Sequence, residues 1–208
     1  MYNLTKEEID IYKKLNTPRK IQDFIDKLDA NFELDGETCM SPRTVLKTRK
    51  CHCFEGALLA AVALRLNGYK PLIIDLATAR DDQDHVVAVF KQHGHWGAIS
   101  KTNHAVLRYR EPVYKSIREL VMSYFHEYFD NKDGNKNLRA YSMPVDLSKF
   151  DKDNWMTSEE DLWDIYKYMF KVPHKNIMNR SQIATLRKAD RVEIEAGKIV
   201  EQKHPIKK

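Results

Sequence analysis

Three consecutive residues, Cys51, His52 and Cys53, put two thiols and an imidazole directly before an apolar run that ends at Gly68. A thiol at the start of a helix faces unpaired backbone N–H groups and the positive end of the helix dipole, and both favour the thiolate. That is where a nucleophile for acyl chemistry would stand. The ordinary alternative for any one of these cysteines is an inert core residue. With His93 and His95 the same residues also offer soft metal ligands. Their spacing argues against a zinc site: Cys51 and Cys53 are one residue apart, and the two histidines flank a hairpin glycine, unlike paired two-residue knuckles. No metal or other cofactor is expected.

The element that would position these groups is the run from Phe54 to Leu66, in which only Glu55 and Arg65 are charged. A helix apolar nearly all round is buried on most faces. Gly56, Ala57, Ala60, Ala61 and Ala63 let neighbours approach its backbone, and Gly68 supplies a left-handed terminator. Before it, Thr5 caps a helix to about Leu15, Thr17-Pro18 starts one to about Leu28, and Ser41-Pro42 starts a third to about Thr48. After it the period becomes extended. Strands are expected at 72–76, 85–90 and 95–100, with a charged turn at 79–84, a hairpin at His93-Gly94 and a short fourth strand at 106–109. An amphipathic helix is expected over 117–128, irregular or extended chain over 138–147, a Ser158-capped helix over 159–170 with Leu162, Trp163, Tyr166 and Phe170 inward, and a helix over 181–188 before a loose tail.

The 208 residues fit one domain, with a motif-bearing core at about 41–110 and a C-terminal helical extension at about 115–208. A hydrophobic content of 42% with only 7 Gly and 7 Pro describes ordered globular chain rather than linker. The net charge of +5 is spread out, with no basic block interleaved with aromatics, which argues against nucleic acid as partner. Three cysteines make a poor disulfide framework, so reduced thiols and a cytoplasmic location are expected. No leader sequence and no membrane span is read from the chain.

The order of helix with a thiol at its start, strand, strand opening on His, and hairpin return resembles the transglutaminase-like branch of the papain-like cysteine enzymes. Cys53, Ala57, Arg65 and Gly68 fall on that family's nucleophile and on its Ala, Arg and Gly positions four, twelve and fifteen residues later. His85-Val86-Val87 matches its His-Val strand start, and Gly94 and Trp96 match its hairpin. The likeness covers roughly residues 50 to 103, about a quarter of the chain.

The resemblance implies an α+β fold with the central helix packed on an antiparallel sheet of three to five strands, and extra helices at both ends. It implies Cys53 as nucleophile, His85 as its base, and Cys51 as a bystander. The family's third residue is an Asp, and Ser100 stands at that position here. Asn103, three residues on, is the other candidate to orient the imidazole, while Ser100 to Asn103 also read as a turn alone. His52 is expected to face solvent. The implied activity is cysteine-dependent acyl transfer, as a peptidase or amidase working through a thioester on a peptide, a protein or a small amide. One alternative is a catalytically silent module of the same frame that binds a peptide or protein, and another, resting on the mild positive charge alone, is a nucleic-acid-associated protein. Residue types do not indicate an oligomeric state.

Overall fold

In the computed structural model, which describes residues 2–79 and 82–205, three capped helices lead the chain to its centre. They are α1 (Lys6–Lys14), α2 (Pro18–Asp26) and α3 (Pro42–Thr48). Each starts where the sequence predicts. Thr5 and Glu8 form a reciprocal capping box, and Thr17 and Ser41 accept the N–H of Lys20 and Thr44. A short parallel pairing of β1 (Asp29–Ala30) with β2 (Lys50–Cys51) then delivers the chain to α4 (Cys53–Leu66). Every residue of α4 from Phe54 to Leu64 is buried, as its nearly uncharged sequence requires.

The strands β3 (Leu72–Thr78), β4 (His85–Gln92) and β5 (His95–Ile99) form a continuous antiparallel ladder. His93 and Gly94 take φ of 50° and 80°, the two left-handed positions of a tight hairpin turn. The charged turn expected at 79–84 includes residues 80 and 81, which lie outside the described residues. β6 (Arg110–Tyr114), β7 (Leu138–Ser142), β8 (Val145–Asp146) and β9 (His174–Asn176) complete a seven-stranded sheet. Its order is β6-β5-β4-β3-β7-β9, with β8 also on β3, and every pairing is antiparallel. The sheet is larger than the expected three to five strands. The second half of the chain is accordingly more than a helical extension, because β7, β8 and β9 build one side of the sheet.

Both faces of this sheet are covered. Ile73, Val86, Ala88, Phe90 and Ile99 face α4 and the N-terminal helices, together with α6 (Trp163–Lys171). Ile74, Leu76, Val87, Val89 and Ala98 face α5 (Ile117–Met122) and the 3-10 turn at Phe125–Glu127. The two-sided burial explains why β3 and β4 read as unbroken apolar runs although their pairing is antiparallel. The mixed helices and antiparallel sheet make this an α+β fold. Arg65 grips Asp151 with two bonds of 2.6 Å, fixing the far end of α4.

Several expected boundaries move for identifiable reasons. The strand expected at 106–109 lies at Arg110–Tyr114, because Leu107 takes φ of +61° and commits its N–H to Glu127 and its carbonyl to Ser100. The helix expected over 117–128 stops at Met122, where Arg110 binds the Ser123 hydroxyl and carbonyl. Ser158 closes a local turn onto Glu160 instead of capping α6, which starts only at Trp163 after the Leu162 N–H has bonded the Cys39 carbonyl. Phe170, expected inward, is 54% exposed, and Leu162, Ile165 and Met169 carry the buried stripe. Near the C-terminus, α7 (Arg180–Ala184) and α8 (Arg191–Gly197) form, and residues 199–202 bond back to His104, Ala105 and Asn103 where a loose tail was expected.

Gly56 marks the closest approach to α4. A Cβ there would lie 2.7 Å from the Lys101 Cβ, and Lys101 cannot easily retreat because its buried Nζ bonds the carbonyls of Ile25 and Leu28. Gly56→Ala is therefore expected to destabilise the fold by about 1–3 kcal/mol, seen as a lower urea midpoint at unchanged slope.

Candidate active site

Cys53 is the first residue of α4 and is partly exposed between two recesses of about 490 and 460 Å³. Both recesses are lined by His52, Cys53, Asp82, Gln83 and Asp84. One extends past His85, Lys101 and Tyr128, and the other past Asp75, Phe54, Tyr166 and Phe170. Burial pushes the Cys53 thiol up, but hydrogen bonds and charge from His52 and His85 outweigh it and bring the pKa down to about 5. The other two thiols go the other way. Burial drives Cys39 and Cys51 up to about 12, which leaves Cys53 as the cysteine whose surroundings favour the thiolate.

His85 opens β4 opposite Leu76 of β3 and is 7% exposed. Its Nε2 lies 2.8 Å from the Ser100 Oγ. Ser100 follows β5, is 2% exposed, and has its backbone clamped from both sides by the Gln22 amide, at 2.9 Å to its N–H and 2.8 Å to its carbonyl. The Ser100 hydroxyl donates its single proton to the Leu107 carbonyl. Its oxygen can then only accept from His85, so Nε2 carries a proton and Nδ1 is left for the thiol. Leu107 is itself held by the Glu127 carboxylate, 2.8 Å from its N–H, and Glu127 pairs with Arg110 at 2.7 Å. The left-handed backbone of Leu107 is what turns its carbonyl onto Ser100.

The sequence thus brings Cys53, His85 and Ser100 together. Asn103 stands elsewhere: both ends of its amide are taken by the backbone of Gln202, at 2.8 and 2.9 Å, so it ties down the C-terminal segment and does not orient the imidazole. His52 does not face solvent either. Its Nε2 is 3.0 Å from the Thr38 carbonyl and 3.3 Å from the Glu55 carboxylate. Glu55 is fully buried, and its oxygens also accept from the N–H groups of Met40 and His52, the Thr38 hydroxyl and the Asn31 amide. The signal for this pair was in the sequence: Glu55 is the only acid on the apolar helix and stands where a capping carboxylate bonds back to the residue before the helix. The rival metal constellation is not assembled, because His93 and His95 lie at the opposite end of β4 from His85, a strand length of about 25 Å away.

No protein-family model matches this chain. No curated protein matches it either.

A second imidazole and carboxylate pair involves Asp75, which lines one of the recesses beside Cys53. Asp75 is buried on β3, accepts from His174 of β9 at 3.0 Å, and has its own pKa raised to about 6 by burial and by the neighbouring Asp84. Neither residue was singled out in the sequence, since β9 is three residues long and its pairing to β7 is fixed from far away in the chain.

Proposed function

We propose that this chain is a cysteine-dependent acyl-transfer enzyme, a hydrolase of transglutaminase-like, papain-like frame that cleaves an amide or ester through a thioester on Cys53. The observation that carries the reading is the imidazole of His85, which meets a low-pKa thiol on one side and has its other nitrogen fixed by a serine whose proton is already committed. Free thiols at 39, 51 and 53 fit a reducing, cytoplasmic setting, and no helix among the described residues is long and apolar enough to cross a membrane.

In this mechanism Cys53 acts as the thiolate with a proton carried on His85 Nδ1, and it attacks the acyl carbon to form the C–S bond. The oxyanion meets backbone N–H groups of the first turn of α4, which have no partner within the helix. Imidazolium returns its proton to the departing nitrogen or oxygen, and the C–N or C–O bond breaks. Water then gives a proton to His85 and attacks the thioester, the C–S bond breaks, and the thiolate is restored. The Leu107 carbonyl, acting through the Ser100 hydroxyl, supplies part of the orientation that a carboxylate would give. The recesses on either side of Cys53 suit an acyl chain or peptide lying across the thiol.

The test is turnover of an activated ester and a peptide anilide by the purified chain. Product release that vanishes in Cys53→Ala supports the reading, and turnover that survives that change rules it out. Ser100→Ala, which leaves His85 without its far partner, is expected to lower kcat about a hundredfold with little change in KM. The Ser100 hydroxyl, standing where a carboxylate would bind imidazole more strongly, favours one second reading: a silent frame that binds a peptide. That reading predicts binding with no turnover by the unmodified chain.

A further inference from the structure

We propose that His52, paired with the buried carboxylate of Glu55, is a second catalytic imidazole on the Cys53 sulfur, a standing cation that keeps the thiolate charged while His85 moves the proton. The inference rests on Cys53 being the nucleophile and deepens that assignment.

The geometry around His52 leaves little choice of protonation. Its Nε2 is surrounded by oxygen acceptors: the Thr38 carbonyl at 3.0 Å, Glu55 Oε1 at 3.3 Å and Glu33 Oε1 at 3.8 Å. The Thr38 carbonyl, with the Glu55 carboxylate beside it, calls for a proton on Nε2, and the same ring bonds the Cys53 side chain. Glu55 supplies the reason for a full charge. It is 0% exposed, and its remaining partners are neutral backbone N–H, hydroxyl and amide groups. A buried carboxylate is tolerated when a cation pairs with it, and among the described residues His52 is the one cationic group in contact with it. His52 and Glu55 are three residues apart across the helix start, so the pair is built into the local backbone and does not depend on the sheet.

The charged and titratable groups around this corner act in both directions: Asp82 and Asp84, on the turn before β4, line both recesses beside the sulfur as like charges, and Lys101 lines one of them as an opposite charge. From the loop after β1, Glu33 adds to Glu55 in holding the His52 charge. From β4, His85 stabilises the thiolate together with His52. From β3, Asp75 stands as a like charge to the thiolate. Tyr128 and Tyr166, facing from the second layer and from α6, stay protonated beside it. The balance is thiolate with His52 cationic on one side and His85 on the other. Burial works against the charge on His52, but bonds to Cys53 and Glu55 hold it well above the ordinary imidazole value.

This division of labour gives an unusual expectation. In a simple thiolate and imidazolium pair, removing the base histidine removes the thiolate. Here His85→Ala loses acyl turnover and keeps the reactive thiol.

The experiment is the pH profile of Cys53 alkylation by iodoacetamide from about pH 4 to pH 9, located by peptide mass. The unmodified chain is expected to react with a midpoint near pH 5. In His85→Ala the rate at about pH 6 stays within about threefold of it, whereas in His52→Gln it falls at least about tenfold, which corresponds to a midpoint raised by about two pH units. Glu55→Gln, which keeps the imidazole and removes its counter-charge, shifts the midpoint in the same direction. An unchanged profile in His52→Gln, or a tenfold loss in His85→Ala, overturns the proposal.

Should His52→Gln unfold, shown by alkylation of buried Cys39 and Cys51, the NMR titration of the His52 ring in the unmodified chain decides. A ring charged from about pH 5 to pH 9 supports the proposal, and a ring that loses its proton below about pH 7 overturns it. Acyl turnover is read separately. Absent turnover with the alkylation pattern intact removes the acyl-transfer reading and keeps the His52 assignment, and turnover with a profile indifferent to His52 does the reverse.

Discussion

His85→Ala is expected to lower acyl turnover by about a thousandfold or more, read as kcat/KM on an activated ester, with the chain still folded. The imidazole bridges the Cys53 sulfur and the hydrogen-bond chain through Ser100, and it has to give a proton to the leaving group and take another from water. Its loss leaves Ser100 bonded to Leu107 and clamped by Gln22, so the surroundings of the site keep their positions. The lost partner of the Ser100 oxygen costs about 1–3 kcal/mol, a tolerable part of the stability of a domain this size. A variant that retained more than a tenth of the turnover would remove His85 from the mechanism.

The largest expected effect on stability is at Glu55. Glu55→Ala removes a carboxylate that accepts from Met40, His52, Thr38 and Asn31 and pairs with the His52 ring, all at a fully buried position. Breaking a buried pair from one side costs about 3–5 kcal/mol, because the remaining groups cannot reach water. Unfolding of the variant in urea at neutral pH is therefore expected to show a loss in that range. A loss below about 1 kcal/mol would mean that the cluster relaxes, and that His52 is not held as described.

The pH dependence of this gap has a definite sign. Burial pushes the Glu55 carboxyl up, but the bonds and charge of His52 and the backbone N–H groups outweigh it and set its pKa below the ordinary value. Its contribution is thus complete above about pH 4.3, the unfolded value, and is lost as pH falls through the lower folded value. The gap between the unmodified chain and the variant should narrow in strong acid.

What could be read from the residues and what could not divides along distance in the chain. Thr5, Thr17 with Pro18 and Ser41 with Pro42 act on N–H groups three residues away, so their helices start as read. Cys53 and His85 were legible because α4, β3 and β4 follow one another with short connections. The break at Ser123 was not, because the chain over 117–128 has good helical spacing and only Arg110, from a strand that the sequence misplaced, takes the Ser123 carbonyl. Asn103 was misjudged for the same kind of reason: its partner is Gln202, 99 residues later. His52 looked solvent-facing because an imidazole beside a helix mouth has no local apolar face. The acceptors that turn it inward come from Thr38 and Glu33 on a loop without periodicity. The Leu107 carbonyl could not be read at all, since a left-handed leucine leaves no mark in residue type.

The most direct test is the covalent state of the chain after mixing with an activated acyl ester, followed by intact mass and peptide mapping with time. One acyl group is expected, on the Cys53 peptide, decaying in the unmodified chain as water releases it. An adduct on Cys39, Cys51 or lysines, or no adduct on Cys53 while that thiol still alkylates in mild acid, would contradict it.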